Sequence, residues 1–312
     1  MGPGGETLLA AAVRRGRAIA EHVVVVTAAS QADATRDAVP GVDLIVEPVG
    51  RNTAPALGLA AATLVRDDPA AVMVVMPADQ HIQDEAGLAT AFDLGLAAVE
   101  EADVIGTLGI TPTRAETGFG YLEVERGTPN TLVPVLRFVE KPDKETAEKY
   151  LASGTYLWNA GIFFASAKRI LTELLAHVPP IGEAVQAIAA GTVRADDVYP
   201  TLQSISIDHA VMERATRVVT IPAAVGWDDV GSWAALPALV GERDGNTIVG
   251  EAIVIDGTGN IVFSDTLVAT VGVSDLVIIK SGDAILVMRK ADAQDVRKVV
   301  EALSARGLQR YL

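Results

Sequence analysis

The chain has 312 residues, half of them apolar and only 4% aromatic, which gives room for one large α/β domain and a smaller one around a core of Ala, Val, Leu and Ile. Forty acidic against 25 basic side chains leave a net charge of −15, which argues against nucleic acid or an anionic membrane as partner. The absence of cysteine excludes disulfides, thiolate metal sites and a cysteine nucleophile, and no apolar run approaches the roughly 20 residues of a membrane span. No charged-then-apolar signal opens the sequence, so a cytoplasmic protein is expected.

In chain order, residues 7–21 read as a helix, followed by a strand at Val23–Val26 and a shorter one near Leu44–Val46. Thr53 reads as a helix N-cap, with Pro55 in the first turn of an Ala/Leu helix running to Arg66. The run Ala71-Val72-Met73-Val74-Val75-Met76 reads as a strand buried on both faces, and Pro77 ends it because it has no N–H to donate. Asp79 is thereby delivered to the carboxyl edge of a sheet, where open α/β folds bind ligands.

A helix over 86–100 and a strand near Val104–Leu108 continue the alternation, which indicates a doubly wound, mainly parallel sheet. Strand-like stretches at 120–126 and 132–140 suggest an antiparallel addition. Helices follow at 143–152, 167–177 and 208–215, then a strand at 217–221. Beyond about residue 240, Gly-Asn, Gly-Thr-Gly and Ser-Gly-Asp turns punctuate short Val/Ile strands from 247 to 288, and a helix at 291–305 closes the chain. The expected domains are 1–240 and 241–312.

Several constellations could carry chemistry. Glu47-Pro48-Val49-Gly50-Arg51-Asn52-Thr53 joins a strand to a helix N-terminus, where a guanidinium fork and free N–H groups suit a nucleotide; an ordinary capped helix reads the same way. Asp79 and the paired acids of Gly226-Trp227-Asp228-Asp229-Val230-Gly231-Ser232-Trp233 could together hold a hard divalent cation, although one acid of the pair could equally cap the following segment. Thr117-Gly118-Phe119-Gly120-Tyr121 permits close backbone approach to a ligand or makes a plain hairpin turn. Glu140 beside Lys141 suits a sugar hydroxyl and a phosphate, or is a solvated strand end. Asn159, set among aromatics, is a ligand contact or a satisfied core amide. The four histidines have no metal-ligand spacing.

The order of these motifs is more specific than any one of them. Arg-Asn-Thr-Ala-Pro, Pro-Ala-Asp, Thr-Gly-Phe-Gly-Tyr, Phe-Val-Glu-Lys-Pro, Trp-Asn-Ala-Gly-Ile-Phe, Ser-Ile-Asp-His-Ala-Val-Met-Glu and Gly-Trp-Asp-Asp-Val-Gly-Ser-Trp occur in series between Thr7 and Leu312. The series closely resembles the mannose-1-phosphate guanylyltransferases of the bacterial short type. That resemblance implies a Rossmann-like nucleotidyltransferase domain of mixed, mainly parallel sheet, plus a small β-helix-like domain with a terminal helix. It implies GTP and α-D-mannose 1-phosphate as partners, giving GDP-mannose and pyrophosphate, with Mg²⁺ as cofactor. A homodimer stays open.

Carried over by motif, Asp79 and Asp229 look like the Mg²⁺ ligands and, with Lys141 near the sugar phosphate, the catalytic set. Arg51, Asn52 and Thr53 fall on the nucleotide side. Gly120, Glu140, Asn159 and Gly161 fall around the sugar, with Asp208 a recurrent acid of unassigned role. The family opens with a strand and a loop of the form Gly-Gly-x-Gly-Thr-Arg, whereas here the match begins after that loop and Gly4-Gly5 lacks the flanking strand. The expectation is an N-terminally short domain in which Val23–Val26 and the Asp79 strand lack a shared neighbour. Three readings follow: a guanylyltransferase, another sugar-1-phosphate nucleotidyltransferase, or a non-catalytic nucleotide-sugar-binding homologue.

Overall fold

The computed structural model describes residues 6–125 and 131–311; Gly4-Gly5, Arg126 and Leu312 of the expectations above fall outside them. The chain divides into two units, Thr7–Trp227 and a smaller one built on Asp228–Leu312.

In the larger unit, α1 (Leu8–Arg17) starts on Thr7, whose hydroxyl accepts from Ala10 N at 3.1 Å. There follow β1 (Val24–Ala28), α2 (Ala32–Ala38), β2 (Asp43–Glu47), α3 (Thr53–Asp67), β3 (Val72–Val75), α4 (Glu85–Glu101) and β4 (Ile105–Ile110). The hairpin β5 (Gly120–Val124) and β6 (Val133–Glu140) comes next, then α5 (Lys144–Ser153), β7 (Tyr156–Ser166), α6 (Ala167–His177), α7 (Pro179–Ala189), α8 (Ala195–Val198) and β8 (Val218–Ala223). The α/β class read from the sequence holds. The expected helix over 208–215 is instead a five-residue π turn, Asp208–Met212.

β1 and β2 pair in parallel as a sheet of their own, and the other six strands form a sheet in the order β3-β7-β4-β8-β6-β5. β1 and β3 accordingly have no common neighbour among the described residues. The sheet is mixed, as expected, but its neighbours pair in parallel less often than a mainly parallel sheet would have them. Of the six strands β3, β4, β5 and β8 point one way and β6 and β7 the other, so β4–β8 is the one parallel pair of neighbours among the described residues, while β7 is antiparallel to β3, β4 and β5, and β6 to β5 and β8. The cause is β7, an eleven-residue strand that enters after the hairpin and α5 and lies between β3 and β4. Among the described residues β3 is therefore an edge strand rather than one buried on both faces: Met73 is buried but Val72 is 39% exposed.

The sheet is covered on both faces. Alanines of α3 with Leu174 of α6 and Val185 of α7 pack on Met73, Ile105 and Phe163, while Leu88 and Phe92 of α4 pack on Leu108, Phe164 and Ile221. Phe163 and Phe164 point to opposite faces, as strand geometry requires. Among the described residues, no helix is long and apolar enough to cross a membrane.

The smaller unit holds α9 (Leu236–Val240), then β9 (Thr247–Val249), β10 (Ala252–Ile255), β11 (Ile261–Ser264), β12 (Val268–Val271), β13 (Leu276–Ser281), β14 (Ala284–Arg289) and α10 (Val296–Ala305). Thr247 lies opposite Ile261, Ile261 opposite Val277 and Ala252 opposite Val268, all in parallel register. The chain thus coils as a short β-helix. Inside the coil, Asn246 and Asn260 are 3% and 0% exposed and form a ladder. Asn246 Oδ1 accepts from Asn260 N at 3.0 Å, and Asn260 Oδ1 accepts from Leu276 N at 3.1 Å.

Candidate active site

The Asp79 turn is held from three sides through its neighbour. Gln80 is buried, and its Nε2 donates to Ala160 O at 2.7 Å while its Oε1 accepts from Trp227 Nε1 at 2.9 Å. Its carbonyl accepts from Arg15 Nη2 of α1 at 3.3 Å. Asp79 itself is exposed. Just downstream, Gln83 N and Asp84 N both donate to Val225 O, at 3.0 and 2.9 Å, so the last residues of the larger unit lie against the segment that follows Asp79. Phe119 meets Trp158 and Trp227 edge-on, each at 5.2 Å between centroids, which fixes the turn before β5.

The bulge in β7 is the central device. Gly109 faces Asn159 and Thr107 faces Phe163, so β7 advances four residues where β4 advances two. Gly161 adopts φ +70 inside it, a conformation open to glycine at no steric cost. A bulge leaves ladder groups unpaired, and here side chains satisfy them. Gln80 takes Ala160 O, Thr107 Oγ1 donates to Ile162 O at 3.0 Å, and Asn159 Oδ1 accepts from Gly161 N at 3.2 Å.

Asn159, Gly120 and Glu140 share one neighbourhood. A methyl group at Gly120 would lie 2.6 Å from Glu140 Oε2 and 3.4 Å from Asn159 Cβ, so glycine keeps open the space that both side chains flank. The Glu140 side chain is only 8% exposed and pairs with Lys141 Nζ at 3.0 Å. Lys141 itself sits at φ +49, a costly conformation for a side-chain-bearing residue, and its N–H donates to Phe119 O at 3.1 Å. Asp208 joins this group, its Oδ1 accepting from Asn159 Nδ2 at 3.1 Å.

Burial pushes the Asp208 carboxyl up to about 6, the negative charge of Glu140 adds to this, and Lys141 and His209 pull it down. An acid raised in this way favours the folded state while protonated. Its contribution is present below the ordinary value of 3.8 and is lost as pH rises through about 6. Roughly 3 kcal/mol should disappear across that window in the wild type and persist in Asp208→Asn. Urea melts at stepped pH check this; identical slopes in the two proteins would refute it.

Arg51, Asn52 and Thr53 do not lie idle at the surface. Asn52 rather than Thr53 is the cap of α3, because asparagine tolerates φ +67 and its Oδ1 accepts from Thr53 N at 2.8 Å. The Thr53 hydroxyl accepts instead from Ile207 N at 2.8 Å, and Ala54 N donates to Ile205 O at 3.1 Å. Arg51 Nη2 donates to Pro200 O. This loop therefore clamps the segment that delivers Asp208. Beneath it Tyr199 donates to Glu47, a buried pair in which burial raises both groups.

Asp228 and Asp229 belong to the smaller unit. Asp228 Oδ1 accepts from Val230 N at 2.7 Å, an Asx turn that accompanies φ +52 at Val230, a strained angle for a β-branched residue. A methyl group at Gly231 would come within 2.5 Å of Asp229 Oδ2. Among the described residues there is no group of three or more His, Asp or Glu that could hold a metal unaided. Asp79 in the larger unit and Asp229 in the smaller one each carry hard oxygen donors of the kind Mg²⁺ prefers.

Thr107 and Gln80 hold the bulge together but escaped the motif reading. Thr107 carried a usable signal, a hydroxyl amid the fully buried Ile105–Ile110 strand.

The nucleotidyl transferase family model matches residues 6–240, and the MannoseP isomerase/GMP-like beta-helix domain model matches 250–303. Xanthan biosynthesis protein XanB of Xanthomonas campestris pv. campestris (strain B100) is 40% identical over 273 residues, 85% of this chain and 58% of that protein. A mannose-1-phosphate guanylyltransferase of Escherichia coli is 41% identical over 278 residues, 84% of this chain and again 58% of the relative. The chain thus spans under two thirds of the length of these curated relatives. The crystal structure of mannose-1-phosphate geranyltransferase from Thermus thermophilus superposes with a TM-score of 0.89 at 34% identity, covering 96% of this chain and 90% of that one. With its bulged sheet, its ordered acidic turns and its coiled C-terminal unit, the chain belongs to the nucleotidyl transferase family.

Proposed function

We propose that the chain transfers a guanylyl group from GTP to α-D-mannose 1-phosphate, releasing pyrophosphate and giving GDP-mannose. The observation that carries this reading is the convergence of Gly120, Glu140, Lys141, Asn159 and Asp208 around one space in the larger unit. An acidic acceptor, an amide donor and an ammonium side by side suit a hydroxylated ring that bears a phosphate. The names of relatives near 40% identity supply the sugar and the base.

The chemistry needs no protein nucleophile. A phosphate oxygen of the sugar phosphate forms the new bond to the α-phosphorus of GTP in line, the bond to pyrophosphate breaks, and the electron pair leaves with it. Catalysis then rests on position and on charge. Glu140 and Asn159 hold the sugar hydroxyls, and Lys141, 60% exposed at its side chain, reaches the phosphate. Arg51, Asn52 and Thr53 stand on the nucleotide side at the start of α3. Asp79 and Asp229, one in each unit, are the carboxylates whose hard oxygens suit Mg²⁺, and that ion would supply neutralisation of the phosphate charge. Such substrates would be met in the cytoplasm.

Pyrophosphate release, measured with mannose 1-phosphate and each of GTP, UTP, dTTP and ATP in the presence of Mg²⁺, tests the proposal. GTP is expected to be preferred by at least about tenfold, the scale of one lost or gained polar contact. Preference for another nucleotide would move the chain to a sister activity. Binding of GDP-mannose with no turnover would make it a binding homologue.

A further inference from the structure

Asp208 opens the π turn Asp208–Met212, whose Ala210, Val211 and Met212 are buried. Single π turns inside helical segments recur at functional sites because they displace one side chain from its helical position. The turn is tied on its N-terminal side by Ile207 N to Thr53 Oγ1, so the carboxylate has a fixed origin. The groups facing it are Asn159 from β7, Glu140 and Lys141 from the end of β6, and His209 on its own turn. Glu213, just past that turn, accepts from Glu140 N at 3.3 Å and meets His209 Nδ1 at 3.2 Å.

The amide of Asn159 has only one orientation consistent with these partners. Gly161 N can only donate, so the atom it meets at 3.2 Å must be the amide oxygen; Thr107 Oγ1, whose single hydrogen serves either this oxygen at 2.8 Å or Ile162 O at 3.0 Å, faces it as well. That oxygen is then an acceptor. One hydrogen of Nδ2 goes to Asp208 Oδ1 at 3.1 Å, and the other has no partner among the described residues. We propose that Asp208 is a positioning residue that locks the Asn159 amide so that its remaining N–H serves as a single fixed donor. With the Glu140 carboxylate across Gly120 as acceptor, the pair would take two neighbouring hydroxyls of a sugar ring. This assignment rests on the sugar-phosphate reading above and gives it a discriminating element.

The test uses the full chain with Asp208→Ala and Asp208→Asn. Asp208→Ala is expected to raise KM for mannose 1-phosphate about tenfold, with KM for GTP and kcat each changed less than about threefold. Asp208→Asn, which keeps an acceptor oxygen, is expected to recover most of that loss. The wild-type KM for the sugar phosphate should rise a few-fold as pH falls through about 6, and Asp208→Asn should show the low-pH value throughout. Parallel rises in both KM values, or no change in either, would overturn the proposal.

A second readout needs no turnover. The side-chain NH₂ signals of Asn159 in a ¹⁵N spectrum, identified by their loss in Asn159→Ser, should be resolved, should titrate near pH 6, and should stop titrating in Asp208→Asn. Signals indifferent to Asp208 would overturn the positioning role even in an active protein. If the wild type gives no product with GTP and mannose 1-phosphate, the functional reading falls while these signals still decide the role of Asp208.

Discussion

Asp229→Asn is expected to lower pyrophosphate release by about three orders of magnitude, roughly 4 kcal/mol of transition-state stabilisation, with the thermal melt unmoved. The two acids of the motif are not equivalent. Asp228 Oδ1 is engaged by Val230 N within its own turn, a contact that an asparagine could also make. The Asp229 carboxylate lies over the space that Gly231 leaves. Asparagine at 229 keeps shape and removes charge, which is the property a magnesium ligand needs. Asp228→Asn serves as the control and should lose far less. Equal losses in the two variants, or none at Asp229, would remove Asp229 as a candidate metal ligand; Asp79→Asn tests the larger unit's candidate in the same way.

The second large effect is structural. Asn260→Ala should destabilise the smaller unit by about 3 kcal/mol, because three side-chain hydrogen bonds are lost in a buried place. Asn260 Nδ2 donates to Val273 O at 2.9 Å and to Asn246 Oδ1 at 3.1 Å, and its Oδ1 accepts from Leu276 N. Alanine satisfies none of them. Hydrogen exchange resolved to peptides covering residues 246–289 would report the loss locally, and unchanged protection there would contradict it. Asn260→Asp should fall between, since it retains the acceptor for Leu276.

Local chemistry made much of this legible. Pro77 marked the end of its strand through the missing proline donor, and the strand-rich character after residue 240 followed from its glycine turns. Motif order brought Gly120, Glu140, Asn159 and Asp208 into one list before any coordinates, and the structure brings these four together. What stayed hidden was long-range. β7 reads locally as one more apolar strand, and nothing in it announces that it runs antiparallel between β3 and β4. The bulge at Gly161 depends on a register shift against β4, so Thr107 and Gln80 could not be recognised as its satisfiers. Thr53 looked like a cap because threonines often are, but the cap passed to Asn52 once the Thr53 hydroxyl was drawn toward Ile207. The buried asparagine ladder was invisible for the same reason: its rungs lie 14 residues apart, beyond any short-period pattern.

That spacing bears on how the smaller unit could change length. Partners in neighbouring windings sit 14 or 16 residues apart, and every inward side chain takes its neighbours from the winding before and after. A single-residue insertion within a strand would turn inward groups outward from that point on. Insertion of one entire winding would preserve every contact and simply make the spiral taller. Natural size variation in this part of such proteins should therefore come in steps of a whole winding, with smaller increments confined to the connecting turns.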